Sequence, residues 1–385
     1  MFGPALTGGD IPGLVERYLE TAARKEGVVN FGTWDFREPF NVLLHDLVHE
    51  ARLSPRGRLV TPYYLMQLLR MRLRVQHAAS QQQPATIQRP IFVLGLPRTG
   101  STLLHTLLSH HPDLRAPTFW ESHHWPRGDW RDFVTQRQCD AQLLAVSMLA
   151  PDFRRIHELG TLAPHECVSI QALSFRSMQF HAAYRLPNYN RAMSRAGYDW
   201  LPAYRWHAQH LGLLQQDQRR WVFKAPAHML GIGSLMQVYP DALFVQTHRD
   251  PATVIPSMAS LTASLRRITS NEHNPDEIGA DVNNLWLHGI TQVMQQRVLN
   301  PTLNARFFDV RYDRLMANPA NLLQQICRFS GLTWQQAYAE TIANTLKQNP
   351  AHKHGKHAYS LAQFGLQPEQ LAEQYADYNH QYLNV

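Results

Sequence analysis

A loop bounded by two glycines, GLPRTGST at residues 95–102, constrains the fold of this chain more than any other feature. Residues 91–96, IFVLGL, precede it as a short apolar run, which is typical of a strand buried on both faces. Residues 101–111 follow it with leucines at helical spacing. Glycines let such a loop curl its N–H groups inward, and a helix N-terminus adds a partial positive charge. The sequence therefore predicts a strand–loop–helix unit that binds an anion.

The residue after the second glycine distinguishes this loop from the phosphate loop of ATPases. The ATPase motif GxxxxGK[ST] has a lysine there, which reaches the terminal phosphates, and then a hydroxyl that holds Mg²⁺. Here Ser101 takes the place of the lysine. The candidate for a strand that ends in a magnesium-binding Asp, ALFVQTHRD, has Arg249 before Asp250. The loop is therefore predicted to bind an anion other than Mg–ATP.

Short apolar runs recur along the chain and alternate with segments of helical spacing. This alternation of strands and helices predicts a parallel sheet with right-handed crossovers. The predicted fold class is therefore α/β, a P-loop-type parallel sheet flanked by helices. The further strand candidates are residues 221–224, 242–247 and 306–310, and the helical segments that separate them are residues 229–238, 253–265 and 282–298.

The N-terminal residues 1–86 are predicted to form a helical extension that packs on the sheet domain. Residues 11–25 and 43–53 carry apolar side chains at helical spacing. A third helix is predicted to open at residues 61–62, Thr-Pro, because proline is favoured at the first helical position.

The rest of the chain is predicted to form one α/β domain, residues 87–345, followed by a basic loop and a helix, residues 346–385. Within the domain, residues 125–220 mix aromatic, His, Arg and Met residues with proline breaks and show no strand pattern, which predicts a helical insertion. The run HKHGKH at residues 352–357 contains lysines that would repel a metal ion. It is either a solvated basic segment or a loop that folds over bound phosphate.

Composition limits the ligand and the compartment. A formal net charge of +7 favours an anionic ligand, and 44% apolar residues suffice for a packed core. The cysteines, Cys139, Cys167 and Cys327, are odd in number and far apart, which argues against a disulfide framework or a thiolate zinc site. The N-terminus lacks the basic and apolar regions of a signal peptide, and no apolar run has transmembrane length. We therefore expect a cytoplasmic protein.

A second anion site is predicted where the ALFVQ run ends. Asp250 is a candidate N-cap and Pro251 a candidate first helical residue, so Arg249 would lie at the carboxyl end of a strand. Open α/β sheets bind their ligands at that edge. Ser257 follows within the next helix. The guanidinium fork of Arg249 and the hydroxyl of Ser257 could then bind one phosphate together.

These two motifs, PIFVLGLPRTGSTLLHTLLSHHP and FVQTHRDPATVIPSM, resemble the two donor-binding motifs of sulfotransferases that use 3′-phosphoadenosine 5′-phosphosulfate (PAPS). The loop is most similar to that of the bacterial branch with the pattern PR[ST]G[ST]T, which tyrosylprotein sulfotransferases share. The resemblance covers about residues 90–330. It implies that the chain moves a sulfuryl group from PAPS to an acceptor, a hydroxyl compound, by in-line displacement without a metal, and releases 3′-phosphoadenosine 5′-phosphate (PAP).

The resemblance also implies which residues bind PAPS. Arg249 and Ser257 match the residues that hold the 3′-phosphate. Tyr312, in VRYDRLMANP, resembles a tyrosine near the adenine, and its alternative role is that of a core residue at a strand end. The family has a basic, glycine-containing segment near the C-terminus, which suggests donor contacts by Lys353 or Lys356. The residues that match those holding the 5′-phosphosulfate are Arg98, Thr99, Gly100, Ser101 and Thr102.

The resemblance suggests catalytic residues as well, with Arg98 among them. Glu121, in APTFWESHHW, resembles the general base that accepts the proton of the acceptor hydroxyl, although it could instead cap a helix. His123 and His124 are rival bases. Lys224, in VFKAPAHML, resembles the lysine that contacts the bridging oxygen while charge develops on the leaving phosphate.

Two other functions compete with this interpretation. A phosphotransferase on the same loop would require ATP and Mg²⁺, and the missing lysine argues against it. A non-enzymatic nucleic-acid-binding protein would carry its basic residues in a stripe or a known motif, and the sequence shows neither. We therefore expect no nucleic acid as partner. The aromatic content of residues 125–220 favours a partly apolar acceptor.

Overall fold

A computed structural model describes residues 3–149, 160–348 and 360–383. Its centre is a five-stranded sheet in the order β2-β3-β1-β4-β5, and every pair of neighbouring strands is parallel. The predicted α/β class is therefore confirmed. The strands are β1 Ile91–Gly95, β2 Leu114–Arg115, β3 Arg220–Lys224, β4 Leu243–His248 and β5 Phe307–Arg311.

Helices fill the described chain before, between and after the strands. Before β1 lie α1 Ile11–Glu26, α2 Arg37–His49 and α3 Pro55–Gln81. Between β1 and β3 lie α4 Ser101–Ser109, α5 Phe119–His123, α6 Trp130–Leu149, α7 Val168–Ala172, α8 Met178–Ala183, α9 Pro187–Met193 and α10 Leu201–Leu214. Between β3 and β5 lie α11 Ile232–Val238, α12 Pro251–Thr269, α13 Pro275–Leu299 and α14 Pro301–Asn304. After β5 come α15 Tyr312–Ala317, α16 Pro319–Ser330, α17 Gln336–Gln348, α18 Pro368–Gln374 and α19 Ala376–Tyr382.

Short 3₁₀ helices complete the described elements at Trp34–Phe36, Pro226–Gly231 and Ala362–Phe364. Across these described ranges, no helix combines the length and the apolar character needed to cross a membrane.

The two faces of the sheet bury different sets of side chains. Phe92 and Leu94 of β1 belong to a large core that also contains the buried faces of α1, α2 and α3. Ile91 and Val93 point the other way, into a smaller core shared with α4, α16 and α17. Successive residues of a strand face opposite sides, so an unbroken apolar run is what a strand covered on both faces requires.

The predicted start of the third helix is wrong. Helix α3 begins at Pro55, where the side chain of Ser54 accepts a hydrogen bond from the amide of Gly57, and Pro62 lies inside the helix. The Ser-Pro pair is itself a start signal, since serine caps well and proline suits the first turn. An internal proline removes one helix hydrogen bond, and this helix is long and buried enough to retain its shape.

The parallel arrangement brings four strand ends to one edge. Gly95, at the end of β1, is in register with Thr247 of β4. Lys224, at the end of β3, pairs with Val93 of β1. The loops that follow β1, β3, β4 and β5 all leave from this carboxyl edge, where open α/β sheets bind ligands.

Candidate functional site

The loop after β1 has a backbone that few residues tolerate. Gly95 has φ +126° and Gly100 has φ +82°. A Cβ on Gly95 would overlap the carbonyl oxygen of Thr247 in the neighbouring strand, so only glycine fits there. Arg98 also has a positive φ, +63°, which is costly for a residue with a Cβ. The loop therefore has a backbone conformation that is unfavourable for Arg98 and that requires glycine at position 95.

Thr99 fixes this shape from inside. It is fully buried, and its hydroxyl contacts the carbonyl oxygen of Leu96 at 2.6 Å and Oγ1 of Thr247 at 2.5 Å. Helix α4 then starts at Ser101 with Gly100 as its N-cap and with no side chain bonded to its first amides. These amides have no partner within the helix, so they form a donor set for an anion in front of the loop.

The loop after β4 carries a second cationic side chain, that of Arg249, in addition to Arg98 in the loop after β1. Asp250 caps α12 with its side chain, and Pro251 is the first helical residue, which confirms the predicted helix start. The guanidinium of Arg249 donates from Nη1 to the carbonyl oxygen of Arg98 at 2.9 Å. The same guanidinium lies 4.0 Å from the centre of the Tyr312 ring, at the end of β5.

Ser257 joins the same cluster from the second turn of α12. Its hydroxyl accepts a hydrogen bond from Nε of Arg98 at 3.3 Å, and its side chain is largely buried. Tyr312 also lies against Gly100, because a Cβ added there would be 3.3 Å from its ring. The structure therefore brings Arg98, Arg249, Ser257 and Tyr312 together, although Arg98 and Arg249 are 151 residues apart in sequence.

Lys224 lies at the end of β3, beside the start of helix α4. Its side chain is almost fully buried at the end of β3, and its ammonium donates to Oγ1 of Thr102 at 3.1 Å. The same ammonium forms an ion pair with Glu166. The amide of Cys167 donates to the carbonyl oxygen of Lys224 at 3.0 Å, which holds Glu166 beside the strand end. A lysine, a carboxylate and a hydroxyl thus meet at the start of α4.

Glu166 was not predictable from a local sequence motif. Its segment has no periodic pattern, and Glu166 precedes its partner Lys224 by 58 residues. One signal was present: Glu166 is the only acidic residue from Gly160 to Tyr198. A lone carboxylate in that setting requires a cationic partner once it is buried.

Glu121 makes the helix-capping contacts that were the alternative to its role as general base. It forms a capping box with Thr118 at the start of α5: Oε2 accepts from the Thr118 amide at 2.9 Å and from its hydroxyl at 3.0 Å. Oε1 accepts from Nη2 of Arg115 at 2.8 Å. Within the described residues, the contacts of this carboxylate therefore run to the helix start and to Arg115, and not to Lys224.

The two rival histidines differ in position. The ring of His123 stacks on Phe119 with 4.1 Å between the ring centres and lies 5.2 Å from the ring of His165, next to Glu166. Burial lowers the pKa of His123. Burial also lowers the pKa of His124 to about 4, and the positive charge of Arg74 adds to the effect. Both imidazoles are therefore neutral near pH 7.

Two further predictions concern the C-terminal basic run and metal binding. Lys353 and Lys356 lie outside the described residues. Over the ranges that the structure covers, no group of three or more His, Cys, Asp or Glu side chains is arranged to hold a metal ion.

Comparison with known proteins relates this geometry to one group of enzymes. The family model described as "Sulfotransferase family" matches residues 90–336. The crystal structure of sulfotransferase STF1 from Mycobacterium tuberculosis H37Rv is 33% identical, with a TM-score of 0.80, and covers 94% of this chain and 98% of that chain. Sulfotransferase STF9 from Mycobacterium avium has a TM-score of 0.83 over 95% of both chains, and at 23% identity this shows the fold alone.

One further relative was identified from its sequence. The omega-hydroxy-beta-dihydromenaquinone-9 sulfotransferase Stf3 of Mycobacterium tuberculosis is 25% identical over 298 residues, which span 74% of this chain and 73% of that protein.

Proposed function

Since this chain belongs to the sulfotransferase family, whose reaction is sulfuryl transfer, we propose that its donor is PAPS and its acceptor a hydroxyl compound. The observation that carries the proposal is the contact between Arg249 and the phosphate loop at Arg98. Besides the sulfuryl group on its 5′-phosphate, PAPS differs from an ordinary adenine nucleotide by its 3′-phosphate. A second guanidinium beside the phosphate loop supplies the charge and the paired donors which that additional phosphate requires.

Each end of PAPS has its own residues in this proposal. The amides of residues 98–102, at the start of α4, hold the 5′-phosphosulfate. Arg249 and Ser257 hold the 3′-phosphate, and Tyr312 lies close enough to both groups to contact the adenosine between them. Lys356 remains a proposed donor contact on the basis of family resemblance alone.

The transfer step follows from the group around Lys224. The acceptor oxygen attacks sulfur in line and forms an S–O bond, while the bond from sulfur to the bridging oxygen breaks. The bonding electrons remain on the 5′-phosphate of PAP, where the charges of Lys224 and Arg98 stabilise them. The proton of the acceptor goes to a nearby carboxylate. We propose Glu166 for this role, because it is the carboxylate in contact with Lys224, and Lys224 in turn contacts Thr102 at the loop.

Glu121 and Glu166 can be separated by one pair of variants. We expect Glu166→Gln to lower kcat at least about a hundredfold, since the proton acceptor is lost, while PAP affinity is retained. We expect Glu121→Gln to retain activity and to lower the free energy of unfolding by about 1 kcal/mol, since it weakens a capping box and an ion pair. Transfer is measured with ³⁵S-labelled PAPS in the presence of EDTA. An inactive, stable Glu121→Gln beside an active Glu166→Gln would assign the base to Glu121.

The acceptor is proposed to be a hydroxyl on a largely apolar molecule. The rings of Phe119, His123 and His165 pack together, and His165 directly precedes Glu166 in the chain, so we expect an acceptor near this carboxylate to meet aromatic surfaces. The relative Stf3 is named for a hydroxylated menaquinone. Labelled PAPS should transfer sulfate to long-chain and prenyl alcohols more efficiently than to free sugars. The opposite preference would contradict this part of the proposal.

The cytoplasm is the proposed compartment, because Cys139, Cys167 and Cys327 are all free thiols and all buried.

A further inference from the structure

Behind Arg249, helix α19 contacts the backbone of the second anion site. Tyr378 is almost fully buried, and its hydroxyl oxygen lies 3.3 Å from the amide nitrogen of Arg249. The same oxygen lies 3.3 Å from Nδ1 of His248, the last residue of β4. A residue near the end of the described chain therefore touches the main chain of the arginine that is proposed to hold the 3′-phosphate.

The direction of each hydrogen bond follows from the groups beyond His248. Nε2 of His248 lies 2.8 Å from Oδ1 of Asp309, and Asp309 accepts two further bonds from Arg297 at 2.7 Å each. Burial lowers the pKa of His248, so the ring is neutral. Although burial opposes it, the bonds from Arg297 and His248 hold the pKa of Asp309 well below its usual range.

An ionised carboxylate can only accept, so Nε2 of His248 carries the proton and Nδ1 is an acceptor. The hydroxyl of Tyr378 therefore donates to Nδ1 of His248. Its oxygen lone pair then accepts the N–H of Arg249. The hydroxyl of Tyr378 thus takes part in two hydrogen bonds, one to His248 and one from Arg249. The substitution Tyr378→Phe would remove both.

Ring stacking and a further hydrogen bond also support this network. The ring of Tyr382, one turn after Tyr378, stacks on His248 with 4.2 Å between the ring centres. Arg297 reaches the network from α13 and also donates to Oε1 of Gln246 at 2.9 Å. Elements α13, α19, β4 and β5 are thus tied together directly behind the loop that carries Arg249.

We propose that Tyr378 is a positioning residue for the 3′-phosphate site, an inference that rests on the proposed use of PAPS. It fixes the main chain of Arg249 so that the guanidinium remains on the Tyr312 ring and at the Arg98 carbonyl before the donor arrives. A guanidinium already in place loses less conformational freedom on binding than one that must be ordered by the ligand. The effect is specific to the 3′-phosphate, because the 5′ end is held by the loop after β1.

The test compares PAP with adenosine 5′-monophosphate (AMP), which lacks the 3′-phosphate, by titration calorimetry. We expect wild-type protein to bind PAP at least about tenfold more tightly than AMP. In Tyr378→Phe, PAP affinity should fall about tenfold, while AMP affinity changes less than about twofold. The KM for PAPS should rise by a similar factor with little change in kcat. The matched control is Tyr375→Phe: Tyr375 is equally buried in the same segment, and its hydroxyl points to the carbonyl oxygen of Asn283.

Tyr375→Phe should keep the wild-type ratio of PAP to AMP affinity. If wild-type protein shows no preference for PAP, the proposed donor is wrong and this inference falls with it. If wild-type protein prefers PAP and Tyr378→Phe keeps the full preference, the inference alone is wrong. Equal losses of PAP and AMP affinity in Tyr378→Phe would show a merely structural role and would also overturn it.

Amide hydrogen exchange gives a second readout that needs no ligand. The Arg249 amide should exchange faster in Tyr378→Phe than in wild-type protein or Tyr375→Phe, because its acceptor is gone. An unchanged exchange rate would contradict the proposed hydrogen bond.

Discussion

Arg249 makes two contacts that depend on the shape of its head group. The guanidinium lies over the Tyr312 ring, 4.0 Å from its centre, and at the same time donates to the Arg98 carbonyl. A lysine has a compact ammonium without this planar fork, so it is less suited to making both contacts at once. The residue type, and not its charge alone, therefore sets the position of this site.

Two substitutions at Arg249 separate the effect of the head group's shape on PAP binding from the effect of its charge. We expect Arg249→Lys to weaken PAP binding about tenfold and Arg249→Ala to weaken it more, while AMP binding changes little in both. Titration calorimetry measures both ligands. Arg314→Ala is the control, because Arg314 is an exposed arginine two residues from Tyr312. Equal PAP affinity in wild-type protein and Arg249→Ala would remove Arg249 from the donor site.

Arg98 and Arg249 could be predicted from the sequence because each lies in a local motif. Arg98 lies in the glycine loop, and Arg249 lies between a strand and the Asp-Pro pair that starts a helix. The carboxylate at Lys224 could not be predicted in this way, because Glu166 reaches the site through a tertiary contact, the bond from the Cys167 amide to the Lys224 carbonyl. Glu121 shows the converse case. Its local pattern, Thr118 followed three residues later by Glu, is a capping box, and the structure has that capping box.

At the scale of elements, β1 and β4 approach so closely that one glycine is required. The Cα of Gly95 faces Thr247 in register, and a Cβ there would overlap the Thr247 carbonyl. This close approach also brings the loop after β1 beside the loop after β4. The distance between the two proposed anion sites is therefore set by the pairing of these two strands.

Replacing Gly95 tests this arrangement. We expect Gly95→Ala to lower the free energy of unfolding by about 3 kcal/mol or more, from the overlap and the positive φ together. Gly233→Ala is the matched control: Gly233 lies in α11, and a Cβ there meets no atom. That substitution should raise stability by up to about 1 kcal/mol. Urea unfolding measures both, and a Gly95→Ala midpoint equal to that of wild-type protein would contradict the packing described.

Four of the five strands were predictable because each contains a short apolar run; β1, β3 and β4 are buried almost throughout, and β5 is only partly buried. The remaining strand, β2, has only two residues, one of them Arg115. It forms because the neighbouring strand β3 offers a free edge. The start of α3 was placed too late because Pro62 lies within a helix that tertiary packing holds together. Local signals thus predict elements whose stability is local, and miss those that depend on neighbours.

At the scale of the whole molecule, the core buries several histidines without charge. Burial is the largest cause in each case. It lowers the pKa of His105 and His210 to about 4, and that of His181 and His228 to about 3. In the unfolded chain each has a pKa of about 6.5. Between these values the unfolded chain binds protons that the folded chain does not.

Stability should therefore fall as the pH decreases. The contribution of these histidines is fully present above about pH 6.5, and each loses about 1.4 kcal/mol per pH unit below that value until its folded pKa is reached. We expect the free energy of unfolding to drop by about 2 kcal/mol or more from about pH 7 to about pH 5. Urea unfolding over this range measures it. His110→Gln, at an exposed site, should keep the same slope, and a flat profile would contradict the neutral burial of these rings.

In the proposed complex, one nucleotide bridges two loops at a single sheet edge. A crystal structure with PAP, grown without metal, tests this most directly. We expect the 5′-phosphate on the amides of residues 98–102 and the 3′-phosphate about 3 Å from both Arg249 and Ser257. A PAP molecule bound with its 3′-phosphate away from these two side chains would contradict the proposed complex.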